Sequence, residues 1–247
     1  MPKAQDLKLC KLPPKHDPRT LRLEAYLAPA PGAELPTPPT SLDPTHGLRR
    51  ITWGMLGNDT YGDCTCAAAA HMAKLWARMA GAKLPRITAQ HVLKFYFGVT
   101  GGQDTGAYIL DVLNAWRHDP SAFGGIAPMA FVSLTPANFQ VATWLFGGLD
   151  LGVNLPLSAQ QELNDRAAWS ATTDEPGTWG GHSVDVKGYD ESGVHLVTWG
   201  RDQYATWPWI HAYCDERWAL IPNDWQGNPN FDMTTLEADL ARLGKVH

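Results

Sequence analysis

The sequence predicts an α+β fold, a helical first half followed by a β-rich second half, and three observations carry that reading. Apolar residues recur at helical spacing through Cys64–Met79 and again over 88–96, 106–117 and 135–145. From residue 149 onward, short runs with strand character take over, at 149–157, 182–189, 194–199 and 217–221. At 247 residues the chain is long enough to bury a large core. Helices segregated from strands argue for two lobes, with any active cleft lying between them.

Each element has its own signals. Residues 1–45 are crowded with proline (Pro13-Pro14, Pro29, Pro31, Pro36, Pro38-Pro39, Pro44) and predict an extended arm wrapped over the body, with a short helical turn around 20–27. Leu21, Leu23, Tyr26 and Leu27 give part of that arm an apolar face with which to dock. Residues 46–134 form the helical lobe: the helix Cys64–Met79 stops at Gly81, and two more helices follow. Residues 135–222 form the β lobe, entered by a helix that opens at Thr135-Pro136 and closes at Gly147-Gly148. The strands at 182–189 and 194–199 pair as a hairpin around Asp190-Glu191-Ser192-Gly193. A short helix or turn is expected over 206–213. The tail, 223–247, carries a capping box (Thr234 with Glu237) into a helix that stops near Gly244.

Bulk properties exclude several classes. A net charge of −5 without a long Lys/Arg cluster argues against a nucleic-acid partner. No apolar run reaches the roughly 18 residues of a membrane span. Met1-Pro2-Lys3-Ala4-Gln5-Asp6 lacks the apolar core of a signal peptide, so a cytoplasmic, bacterial or phage product is expected. Cys10, Cys64, Cys66 and Cys214 are therefore read as thiols. Cys-x-Cys lacks the partner pair of a zinc site, and no metal or cofactor is expected. Most of the eleven tryptophans, Trp76, Trp116, Trp144 and Trp218 among them, are read as core.

The chemistry concentrates in Gly57-Asn58-Asp59-Thr60-Tyr61-Gly62-Asp63-Cys64, a polar loop that delivers Cys64 to a helix start. Unpaired N–H groups and the positive end of the dipole there favour a thiolate. His182 opens an apolar strand 118 positions later, after Gly180-Gly181, whose lack of side chains allows close backbone approach. A helix-start cysteine and a distant strand histidine are the skeleton of a thiol nucleophile and its base. Cys66 lies about 200° further round the helix, where burial is expected. His71 reads as a packing histidine.

In order and wording these segments resemble the papain-like cysteine peptidases, over about residues 42–220. That family places an oxyanion-hole Gln six positions before its nucleophile, and Asn58 stands six before Cys64. The run His182…Gly188-Tyr189…Val197-Thr198-Trp199-Gly200 is similar to the family's histidine hairpin leading into Asn-Ser-Trp-Gly. Gln103-Asp104-Thr105-Gly106 looks like its glycine-rich cleft loop. The resemblance implies a two-lobed papain-like fold with Cys64 as nucleophile, His182 as base and acid, and Asn58 as oxyanion donor. It also implies substrate contacts from Asp104, Thr105, Gly106, Gly181 and Trp199. The arm is too short for the family's bulky inhibitory propeptide. The sequence departs at Val197, where the family has the Asn that orients the histidine. An unbulged hairpin pairs Val186 with Val197 and Val184 with Trp199, leaving Asp185 and Thr198 on the face away from His182. Thr198 serves as orienter only if a bulge shifts the register, and Asp202 only if it folds back. The expected activity is a thiol hydrolase cleaving a peptide, isopeptide or similar amide bond through a thioester. Alternatives are a catalytically impaired fold kept as a binding or structural module, and a thiol acyltransferase. The partner is then a peptide or protein substrate; oligomeric state is not legible.

Overall fold

The computed structural model describes residues 2–27 and 37–244. Pro29, Pro31 and Pro36 of the expected arm lie outside the described residues. Seven α-helices and six strands run in the order α1 (Cys64–Met79), α2 (Ala89–Val99), α3 (Ile109–His118), β1 (Pro128–Ser133), α4 (Phe139–Phe146), β2 (Leu149–Leu155), α5 (Ser158–Asp165), β3 (Gly180–Tyr189), β4 (Gly193–Thr198), β5 (Arg201–Thr206), α6 (Trp207–Tyr213), β6 (Cys214–Pro222) and α7 (Met233–Leu243) among the described residues. The strands form one antiparallel sheet ordered β1-β6-β2-β3-β4-β5.

Helix α1 is central. Every residue from Cys64 to Ala77 is buried, so this helix is wrapped on all sides and not merely on one stripe. Its alanines let α2, α3 and the sheet approach closely, and Trp76 stacks on Trp116 of α3. One apolar core gathers α1, α2 and α3 with Val197, Trp218 and Leu220 of the sheet. A second lies across the sheet, where α4 and α6 pack on Leu149, Leu151, Val184, Val186 and Leu196. Of the tryptophans read as core, Trp76, Trp116 and Trp218 are buried and Trp144 is partly so.

Several details differ from the sequence reading. Strand β1 comes from the segment assigned to the helical lobe, yet it pairs with β6 at the sheet edge. Strand β5 and helix α5 were not expected: β5 is short and polar (Arg201, Asp202, Gln203), and α5 carries only two buried residues, so neither has a readable apolar period. Helix α7 is capped by Asp232, which accepts from the Thr235 N–H, and not by Thr234. The arm docks as expected through Leu23, Tyr26 and Leu27, with a 3₁₀ turn at Leu23–Ala25. All four cysteines are free.

Two β-bulges shape the region around the start of α1. In β3, Gly188 pairs with His195 but Val186 pairs with Leu196, so Lys187 is the extra residue. In β6, Gly152 of β2 pairs with Glu216 and Val153 with Cys214, so Asp215 is the extra residue. Each bulge re-aims a side chain beside the N-terminus of α1.

Candidate active site

Cys64 is the first residue of α1, and His182 lies in β3 against it. The backbone N–H groups of Ser183, next to His182, and of Cys10, in the N-terminal arm, face the Cys64 thiol. His182 Nε2 lies 2.7 Å from the Thr198 hydroxyl. Its ring stacks on Trp199, centroids 3.9 Å apart and planes 13° from parallel, and Trp179 stacks on Trp199 in turn. His182 Nδ1 is buried without a hydrogen-bond partner among the described residues. The imidazole is thus held by a hydroxyl at one nitrogen and by aromatic faces, with the other nitrogen left for a further proton donor.

The Lys187 bulge puts Thr198 there. The loop end of the hairpin keeps the unbulged register, Tyr189 with Val194, but beyond Lys187 the pairing slips by one. Thr198 joins the face of His182, while Val197 turns into the core around α1. Asp202 does not fold back: it pairs with Lys187 at 3.2 Å and accepts from Trp53 Nε1 at 2.9 Å. Its place opposite Val197 in the β4–β5 ladder keeps it off the histidine's face.

The cleft is covered. Residues 8–12 of the arm run through it as a strap. The Lys11 N–H donates to Gly181 O and the Leu12 N–H to Ala107 O, both at 3.1 Å, so the strap spans from the sheet to the helical lobe. Gly106 and Gly181 are glycines for this reason: an added Cβ would lie 2.0 Å from Cys10 O and 2.4 Å from Lys11 O, respectively. Gly106 also has φ +76°, a region other residues rarely adopt. Asn58 is buried, with its amide donating to Tyr61 O at 3.2 Å and pointing at the strap carbonyl of Lys8 at 3.5 Å. Asp104 accepts from the Gly62 N–H and the Tyr96 hydroxyl, and that hydroxyl accepts from the Gly106 N–H. Asp104 therefore ties its own loop to the loop that precedes Cys64, and Thr105 is exposed beside it.

Lys11 anchors the strap. Its side chain is fully buried and its ammonium lies 2.9 Å from Asp215 and 3.4 Å from Glu216. Asn154 donates to the same Asp215 oxygen at 3.0 Å. Neither carboxylate, nor Lys11, carried a signal in the sequence: two adjacent acids on a strand read as one inward and one outward residue, and only the bulge turns both inward.

Burial disfavours the charged forms of both Cys64 and His182. Burial pushes the Cys64 thiol up to about 12, outweighing the N–H groups that face it. The thiolate expected from the helix dipole alone is therefore not the form held under the strap. Burial, then the nearby His71 and Lys11 charges, push His182 down to about 3. Asp63, which precedes Cys64, is driven up to about 8 by burial and makes no capping bond. Cys66 is buried in the helical core and its thiol is pushed up by burial as well. His71 is a packing residue whose Nε2 lies 2.9 Å from Gly54 O.

No protein-family model and no curated protein matches the sequence. Among solved structures the chain is similar to xylellain, a cysteine protease from Xylella fastidiosa, with TM-score 0.61 and 13% identity over 90% of this chain and 98% of that one. It is similar to a procathepsin B from Trypanosoma congolense, with TM-score 0.58 and 12% identity over 90% and 88%. A cysteine protease from Carica candamarcensis gives TM-score 0.51 and 13% identity over 74% and 98%. The chain thus has a papain-like fold: a helical lobe set on an antiparallel sheet.

Proposed function

We propose that this papain-like fold is a thiol hydrolase of amide bonds, with Cys64 as nucleophile, His182 as base and acid, and the strap as a removable cover. The observation that carries the reading is the state of His182. Thr198 and Trp199 fix the ring, Nδ1 is left free, and the adjoining Ser183 N–H already faces the Cys64 thiol. With the strap displaced, the Cys64 proton passes to His182 Nδ1 and the thiolate attacks the carbonyl carbon of an amide. The Asn58 amide, which points at a strap carbonyl in the covered state, and the helix-start N–H groups receive the developing oxyanion. The imidazolium gives its proton to the leaving amine as the C–N bond breaks, and water then hydrolyses the thioester. An amine acceptor in place of water would make the same site an acyltransferase.

The strap turns the Cys10 N–H toward the thiol. The binding-module alternative drew its support from Val197, and that support falls away with Val197 in the core and Thr198 at the histidine. A direct test is turnover of a quenched casein substrate by the Lys11→Ala chain, whose strap has lost its anchor. Activity that disappears in Cys64→Ala and in His182→Ala supports the reading. Persistence of turnover without Cys64 rules it out.

A further inference from the structure

Resting on that hydrolase reading, we infer that the acidic pocket holding Lys11 is the subsite for a cationic substrate side chain, a lysine or arginine of the peptide to be cut. The strap's backbone hydrogen bonds, to Gly181 O on one lobe and Ala107 O on the other, hold Lys11 beside Cys64, where any peptide crossing the cleft must lie. Its side chain enters a pocket built for positive charge. The bulge at Asp215 points two consecutive carboxylates of β6 to one side. Gly152 opens room for them: a Cβ there would lie 2.4 Å from Glu216 Cγ and 2.8 Å from Asp215 Oδ1. Asp150, deeply buried nearby, accepts from the Ser183 hydroxyl; burial, with the neighbouring Glu216, pushes its carboxyl up to about 7, while Ser183 and Lys11 oppose the shift.

The acceptors outnumber the donors that Lys11 supplies. Its three N–H bonds go to Leu12 O, Asp215 and Glu216, which leaves Asp215 Oδ1 and Asp150 Oδ2 buried without a partner among the described residues. An anchor for one fixed ammonium does not need them; a subsite that also takes the five-donor guanidinium of arginine uses them. Desolvated carboxylates reject a neutral occupant, since the uncompensated charge then stays buried. The pocket selects substrate, and the strap holds the site closed by occupying it with the cation it selects.

The test reads binding, so that it stands apart from turnover. In the full chain carrying Cys64→Ala and Lys11→Ala, acetyl-Gly-Lys-Gly-amide and its arginine counterpart should bind on the order of 30-fold tighter than the norleucine peptide. The glutamate peptide should not bind. Glu216→Gln with Asp215→Asn should erase the preference. Equal affinity for lysine and norleucine peptides, or no binding by any, overturns the inference. Should Lys11→Ala not fold, the Cys64→Ala chain is cut in its native state by trypsin at exposed Lys15 or Arg19. Release of the strap fragment should then need roughly 30-fold less lysine peptide than norleucine peptide; equal potency overturns the inference. Failure here with Cys64-dependent turnover intact removes the subsite and leaves the hydrolase; loss of that turnover, with binding selective, removes the hydrolase alone.

Discussion

Two neighbouring patches of the cleft lie under one strap and differ in whether the strap brings a counter-ion with it. At Cys64 and His182, desolvation meets no opposing charge, and both groups are driven neutral, the thiol to about 12 and the imidazole to about 3. At Asp215 and Glu216 the same strap brings in an ammonium, 2.9 and 3.4 Å away, and burial still pushes the Glu216 carboxyl up, with Lys11 opposing the shift. Burial disfavours the charged form of a group, and a counter-ion buried with it opposes that shift. The strap therefore uses one patch for attachment while silencing the other, and Lys11 does both, since its charge also disfavours the imidazolium.

The contrast is broken most sharply at Lys11. Lys11→Ala strands two half-buried carboxylates and should cost on the order of 2 kcal/mol in urea unfolding at neutral pH. An unchanged midpoint would mean that the pair contributes nothing net. Next comes Thr198. Thr198→Val removes the hydroxyl at His182 Nε2 while keeping the side-chain shape, and should lower kcat of the strap-loosened chain roughly tenfold. Thr198→Ser should restore it, and a KM effect alone would assign Thr198 to packing.

The smallest effect sharpens the electrostatics behind the pocket. Asp185 is buried with neither oxygen hydrogen-bonded, and burial, with Asp150 opposite it in the β2–β3 ladder, pushes its carboxyl well above the ordinary range. A carboxyl whose folded pKa exceeds its unfolded one binds more protons when folded. Its penalty is absent below the unfolded value and grows as pH rises toward the folded one. Asp185→Asn should therefore raise Tm by a few degrees at pH 8 and by less at pH 5. A gain that does not depend on pH would contradict the assignment.

Much of this was legible in the sequence. The bounds of α1 were readable because an alanine-rich apolar run ends at a glycine, and Cys64 and His182 stood out by their helix-start and strand-start contexts. Gly181 could be read as a close-approach position, Gly106 only as part of a cleft loop, and an arm with docking leucines was visible at 20–27. What escaped was set by register and by long-range packing. A period-of-two reading cannot place an extra residue: Thr198 could be offered as the partner of His182 only on condition of a bulge, and the extra residue Asp215 hid the acidic pair. The strap escaped for a different reason: residues 8–12 have no pattern of their own, and their conformation comes from Gly181 and Ala107, more than 90 positions away. Strand β5 borrows its order in the same way, from the ladder with β4.

The central claim, that one removable segment keeps the nucleophile neutral and hidden, is tested most directly by iodoacetamide labelling of Cys64 at pH 7, mapped by mass, in the wild-type chain and in Lys11→Glu. Like charge against Asp215 and Glu216 expels the strap, so Cys64 should label at least tenfold faster in the variant than in the wild type. That gain should vanish when His182→Ala is added. Equal labelling of both chains, or fast labelling of wild-type Cys64, would contradict it.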